Sequence, residues 1–178
     1  MDPVVVGILR TMLAFVFAQA AFHKLRDRAA FDQIVRAHRL VPAAGAPVVT
    51  GLLLAGELAA ATALLAPGAA RLGGGLALAL LAVYSLAIGA NLARGHRDVD
   101  CGCLGPGHRQ PLTGWLLVRN ALLATLAALC LLPAVSRPIT WIDLVSLLGG
   151  ALVLTLIFAA ATRLALLESR TSAARRSA

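Results

Sequence analysis

Gly73 to Ala93 reads GGGLALALLAVYSLAIGANLA, twenty-one residues without a formal charge. An α-helix rises about 1.5 Å per residue, so this run is about 30 Å long, the thickness of a bilayer's hydrocarbon core. Such a helix has no polar face to offer water, and in lipid it needs none, because it satisfies its own backbone hydrogen bonds. Runs of the same kind lie near 4–22, 44–66, 112–134 and 139–161. Over all 178 residues, 60% are hydrophobic and only 13% charged, more apolar surface than a soluble domain of this size requires. The expected fold class is an all-α integral membrane protein with five spans. The first run is not read as a cleaved leader, because Met1-Asp2-Pro3 carries no positive side chain and no clear small-residue cleavage site follows. Residues 1–162 are expected to form one transmembrane domain and 163–178 a basic C-terminal tail.

The connections between runs are short. Pro67-Gly68 and the glycines at 73–75 predict a tight turn, and Pro133 and Pro138 bracket another. Short connections make sequential helices antiparallel neighbours in an up-down bundle. Gly51, Gly56, Gly149, Gly150 and many alanines would let helices approach closely. Between the first two runs, Phe31, Ile34, Val35 and His38 recur at helical spacing with Arg28, Asp32, Arg36 and Arg39 on other faces. That stretch reads either as a short amphipathic helix in the interface or as a solvated connector whose cations set topology.

The basic residues are unevenly placed. Lys24, Arg26, Arg28, Arg36 and Arg39 follow the first span, Arg94, Arg97 and Arg109 follow the third, and Arg163, Arg170, Arg175 and Arg176 follow the fifth. With five spans these twelve share one side, against Arg71 and Arg137 on the other. Positive-inside reasoning puts the twelve in the cytoplasm and the N-terminus outside, in a multi-pass protein of the bacterial inner membrane. The net charge of +8 is then a charge facing anionic lipid. Nucleic acid is excluded as a partner, since no aromatic-rich basic module accompanies the cations.

Polar side chains inside the spans are costly and call for partners. Arg10 and Glu57 fall at similar depth on opposed helices, which predicts an Arg10–Glu57 ion pair, either a helix clamp or a proton-handling site. Lys24, Asn91, Arg119 and Asn120 lie toward the other side and could form one polar patch.

That patch would sit beneath the most distinctive motif, Asp100-Cys101-Gly102-Cys103-Leu104-Gly105. A Cys-x-Cys disulfide closes a small, strained and readily reduced ring, and Gly102 supplies the backbone freedom it needs. Neighbouring arginines favour the thiolate while Asp98 and Asp100 oppose it. Cys101 and Cys103 are therefore candidate redox residues, with Gly102, Arg119, Asn120 and Lys24 in support; this reading calls for no cofactor. The rival reading is a metal site of His96, Cys101, Cys103 and His108, four ligands suited to Zn²⁺ or to Cu(I). Two unreactive loop cysteines are the bland alternative. Cys130, far along the next span, reads as a small apolar residue.

The chain resembles the methylamine-utilisation MauE family, within the DoxX-like membrane proteins. The resemblance covers roughly residues 4–135 and rests on Arg10, Phe22-His23-Lys24, Gly56-Glu57-Leu58, Arg94-Gly95, the Cys-Gly-Cys run and Arg119-Asn120; Leu104 stands where the family often has an aromatic residue. It implies an antiparallel four-helix core with a fifth transmembrane helix. It also implies a role in thiol–disulfide handling during maturation of exported proteins, beside a thioredoxin-like protein or a thiol client. Outward-facing thiols would suit that role, whereas the charge asymmetry puts them inside. A non-catalytic membrane assembly factor remains the third alternative.

Overall fold

Asp2 begins the first span by accepting the Val4 amide at 2.8 Å, with Pro3 in the first helical turn, where its missing N–H costs nothing. From there the computed structural model describes residues 1–96, 112–133, 135, 137–138 and 140–177, with backbone alone at 166 and 168–177. Its helices are α1 (Pro3–Arg26), α2 (Arg28–Ala37), α3 (Ala46–Leu65), α4 (Ala70–Ala93), α5 (Gly114–Leu129) and α6 (Trp141–Ser177). No strand occurs among the described residues. α1, α3, α4 and the first part of α6 are each long and apolar enough to cross a bilayer. This is an all-α integral membrane protein that crosses the membrane several times.

α1, α3, α4 and α5 close a ring in which each helix packs on two others, and α6 packs outside it on α1. The centre holds Leu13, Phe17, Leu64, Leu81, Leu123 and small alanines such as Ala60, Ala77 and Ala127. Small residues set the close approaches. A Cβ on Gly73 would come within 2.5 Å of the Leu64 backbone nitrogen, so only glycine permits the tight α3–α4 return. Outside the ring, a Cβ on Gly7 would strike Leu147 and one on Gly150 would strike Ile8, so α1 and α6 exchange a knob and a notch in each direction. Gly51 and Gly149 face open space and play no such part.

Three boundaries differ from the sequence expectation. α5 is shorter than the apolar run at 112–134: its sixteen residues span about 24 Å, and the chain turns at Cys130–Leu132 before Pro133, which disfavours helix in the residue preceding it. α1 continues past residue 22 to Arg26. α6 runs without a break through position 163 to Ser177, so the basic tail continues the fifth helix rather than following it. The segment after α1 is helical, capped by Asp27, which accepts the Ala30 amide at 3.0 Å. Its Phe31 is buried and α2 packs against α3, so its apolar face seals the bundle's end.

The opposite end is clasped by polar contacts. The Met1 ammonium donates to the Pro133 carbonyl at 3.0 Å. Arg137 grips Asp143 with two nitrogens at 2.8 and 2.9 Å and reaches Asp2 at 3.4 Å. The Val4 amide, and then Arg137, hold the Asp2 carboxyl below its usual value.

Candidate functional site

A buried ion pair joins α1 to α3 inside the bundle, beneath α2, and its cation is Lys24. Lys24 Nζ donates to Glu57 Oε1 at 2.6 Å, and each side chain is only 1% exposed. The Tyr84 hydroxyl donates to the same oxygen, also at 2.6 Å. The Lys24 ammonium lies over two rings, 4.7 Å from the Phe31 centroid and 5.4 Å from that of Tyr84. Two aromatic faces and a carboxylate thus replace water around a fully buried cation.

The expected Arg10–Glu57 pair is therefore not made. Arg10 donates instead to the Leu64 carbonyl at 2.6 Å and the Ala66 carbonyl at 3.2 Å, at the C-terminal end of α3. Helical side chains lean toward their own N-terminus. On antiparallel α1 and α3, Arg10 and Glu57 lean away from each other while Lys24 and Glu57 lean together. Arg10 is then taken up by carbonyls at the end of α3, where the helix dipole is negative.

Lys24, Arg119 and Asn120 are all buried, as expected of a polar patch, and Asn91 is fully buried. Asn120 donates to Ser85 Oγ at 3.4 Å and lies 3.5 Å from the Arg119 guanidinium. Asn91 donates to the Ala87 carbonyl at 2.9 Å at the foot of α4, and its buried side-chain oxygen has no hydrogen bond among the described residues. Sequence reasoning missed Tyr84 and Ser85. The available signal was that the chain's single tyrosine falls in the middle of a span.

Beside this cluster is a cavity of about 450 Å³. Phe15, Gln19 and His23 of α1, Leu123 of α5 and Leu152, Leu156 and Ala159 of α6 form its walls, and Glu57, Tyr84, Arg119 and Asn120 form its polar floor. α5 and α6 both flank α1 but do not pack on each other as a helix pair, which leaves the cavity a side facing lipid.

Cys101, Gly102, Cys103 and His108 lie outside the described residues. Of the alternative metal ligands only His96 is described, and it is exposed just beyond α4. No group of three metal-ligating side chains occurs among the described residues. Cys130 is buried at the end of α5, in keeping with its reading as a small apolar residue.

The polar pairs join segments distant in sequence, α1 to α3 and α4, and sequence comparison covers all of these helices. Residues 2–133 match the family described as methylamine utilisation protein MauE. This chain belongs to the MauE family. It is 37% identical over 162 residues to the methylamine utilization protein MauE of Paracoccus versutus, covering 89% of this chain and 87% of that one. It is 39% identical over 127 residues to its namesake in Methylorubrum extorquens, covering 71% and 68%. With that of Methylophilus methylotrophus the identity is 35% over 164 residues, covering 90% and 85%. No solved structure matches the chain.

Proposed function

We propose that this MauE-family membrane protein is a thiol–disulfide redox protein that supports maturation of other proteins through Cys101 and Cys103. The observation that carries the reading is the Cys-Gly-Cys run on the connection between α4 and α5. In the step proposed, one client thiol attacks the loop disulfide and the client's second thiol then attacks the resulting mixed disulfide. Two S–H bonds and one S–S bond break, a new S–S bond forms on the client, and Cys101 and Cys103 take up the two protons and two electrons as thiols. The partner is a thioredoxin-like protein or the client itself. The Lys24–Glu57–Tyr84 cluster supports the reading as rigid packing beneath the loop-bearing helices. The basic asymmetry favours a cytoplasmic loop in the inner membrane, with the N-terminus outside.

Thiol trapping in cells tests the chemistry. Cys101 and Cys103 are expected to interconvert between dithiol and disulfide, and either single serine variant to abolish client maturation, its remaining thiol attacking the disulfide of an oxidised thioredoxin-like partner and holding it as a mixed disulfide. Full activity of the Cys101→Ser, Cys103→Ser double variant would leave only an assembly role. Stoichiometric zinc or copper, lost in His96→Ala and His108→Ala, would replace the redox reading with metal binding. A membrane-impermeant thiol reagent on intact cells should leave both cysteines unlabelled; strong labelling would reverse the orientation.

A further inference from the structure

We infer that the cavity between α1, α5 and α6 binds the ring of a membrane quinone, which serves as two-electron acceptor for the loop thiols. The electron donor rests on the thiol reading above; the binding site stands on its own geometry.

The floor decides the class of occupant. Glu57 lies eight residues from the end of α3 and Tyr84 nine from the end of α4, about 12–14 Å inside those spans, and Arg119 and Asn120 lie about 8–9 Å inside α5. Phosphate and free carboxylate headgroups stay at the interface, because a charge near the bilayer's centre is costly. A quinone ring is neutral, planar and at home in the hydrocarbon. Its two carbonyls need donors, and Arg119 and Asn120 carry several N–H groups at the floor, while the Tyr84 hydroxyl is held by Glu57. Phe15, Phe17 and Phe158 bring aromatic rings to a largely apolar wall. About 450 Å³ holds a substituted ring and the first isoprene units, and the gap between α5 and α6 lets the remaining tail lie in lipid.

The reaction balances. Two S–H bonds of the loop dithiol break and one S–S bond forms. Two electrons and two protons pass to the quinone, whose carbonyls become the two hydroxyls of the quinol. α4 and α5, which carry Tyr84, Arg119 and Asn120, are also the helices that the Cys-Gly-Cys connection joins.

The test uses the full chain in quinone-free phosphatidylcholine nanodiscs with ubiquinone-1. Binding is read as saturable retention above lipid partitioning, and turnover as quinol formation after reduction of the loop and removal of the reductant. Wild type should bind saturably and form one quinol per loop dithiol. Ala159→Phe, which fills the cavity from peripheral α6, should weaken binding at least tenfold, while Leu148→Phe on an exposed part of α6 should change it less than twofold. An azidoquinone should crosslink to peptides containing residues 15–23 or 152–163. Absence of saturable binding, undiminished affinity in a folded Ala159→Phe variant, or crosslinking elsewhere overturns the site. The Cys101→Ser, Cys103→Ser variant should bind as wild type and form no quinol. Quinol formation by that variant would sink the thiol donor and leave the site. Thiol cycling in cells without quinone binding would do the reverse.

Discussion

α1 and α6 are both apolar enough to span a bilayer, yet they behave as opposites. Eight residues of α1 are buried, from Val6 to Lys24, and it packs on α3, α5 and α6. In α6 only Ala151 and Thr162 are buried among the described side chains, and the helix lies outside the ring, packed chiefly on α1. Hydropathy measures fitness for lipid, and lipid is as apolar as leucine. It therefore does not separate a helix that faces protein from one that faces acyl chains. What separates them is the distribution of small and polar residues: α1 carries Gly7, Arg10 and Lys24 toward neighbours, whereas α6 presents Leu148, Val153 and Ile157 outward.

That contrast predicts a ranking of substitution effects. The largest belongs to Lys24. Lys24→Ala strands the Glu57 carboxylate and should cost about 3–5 kcal/mol of stability in detergent unfolding. Lys24→Leu combined with Glu57→Leu should recover at least half of that. A double variant no more stable than the singles would mean the pair is not what joins α1 to α3. Next comes the apolar centre. Leu13→Ala leaves a cavity between packed helices and should cost about 2–5 kcal/mol, whereas Leu148→Ala on α6 should fall within about 0.5 kcal/mol. Equal losses at the two sites would erase the distinction between the helices.

The α1–α6 contact should rank third. Gly150→Leu drives a side chain into Ile8 and should cost about 1–3 kcal/mol. Protease susceptibility should rise in α6 while the four-helix ring keeps its unfolding midpoint. Loss of the ring with the contact would make α6 part of the core. The smallest effect is at the polar clasp. The Asp2 carboxyl titrates below its ordinary value of 3.8 in the folded protein. Its contribution is therefore present above that value and lost as pH falls through the lower folded one. Asp2→Asn should flatten the acid limb of the stability profile slightly, and an unchanged profile would show that the clasp contributes nothing.

Much of the fold was legible in the chain itself. Uncharged runs of about twenty residues specify membrane helices, because the bilayer's thickness and the need to satisfy the backbone leave little else. The helical spacing of Phe31, Ile34 and Val35 marked α2, though not that Phe31 would cover Lys24. The Cys-Gly-Cys run, the order of spans and the family were equally visible. Partner choice was not. Arg10 and Lys24 are both cations on α1, and one-dimensional depth favoured Arg10 for Glu57. Only the packed structure, in which side chains lean toward their own helix N-termini, gave Glu57 to Lys24 and Tyr84 and gave Arg10 the carbonyls ending α3. The cavity, too, exists only in three dimensions. It forms because α5 and α6 flank α1 without filling the space between them, and no single helix records that gap.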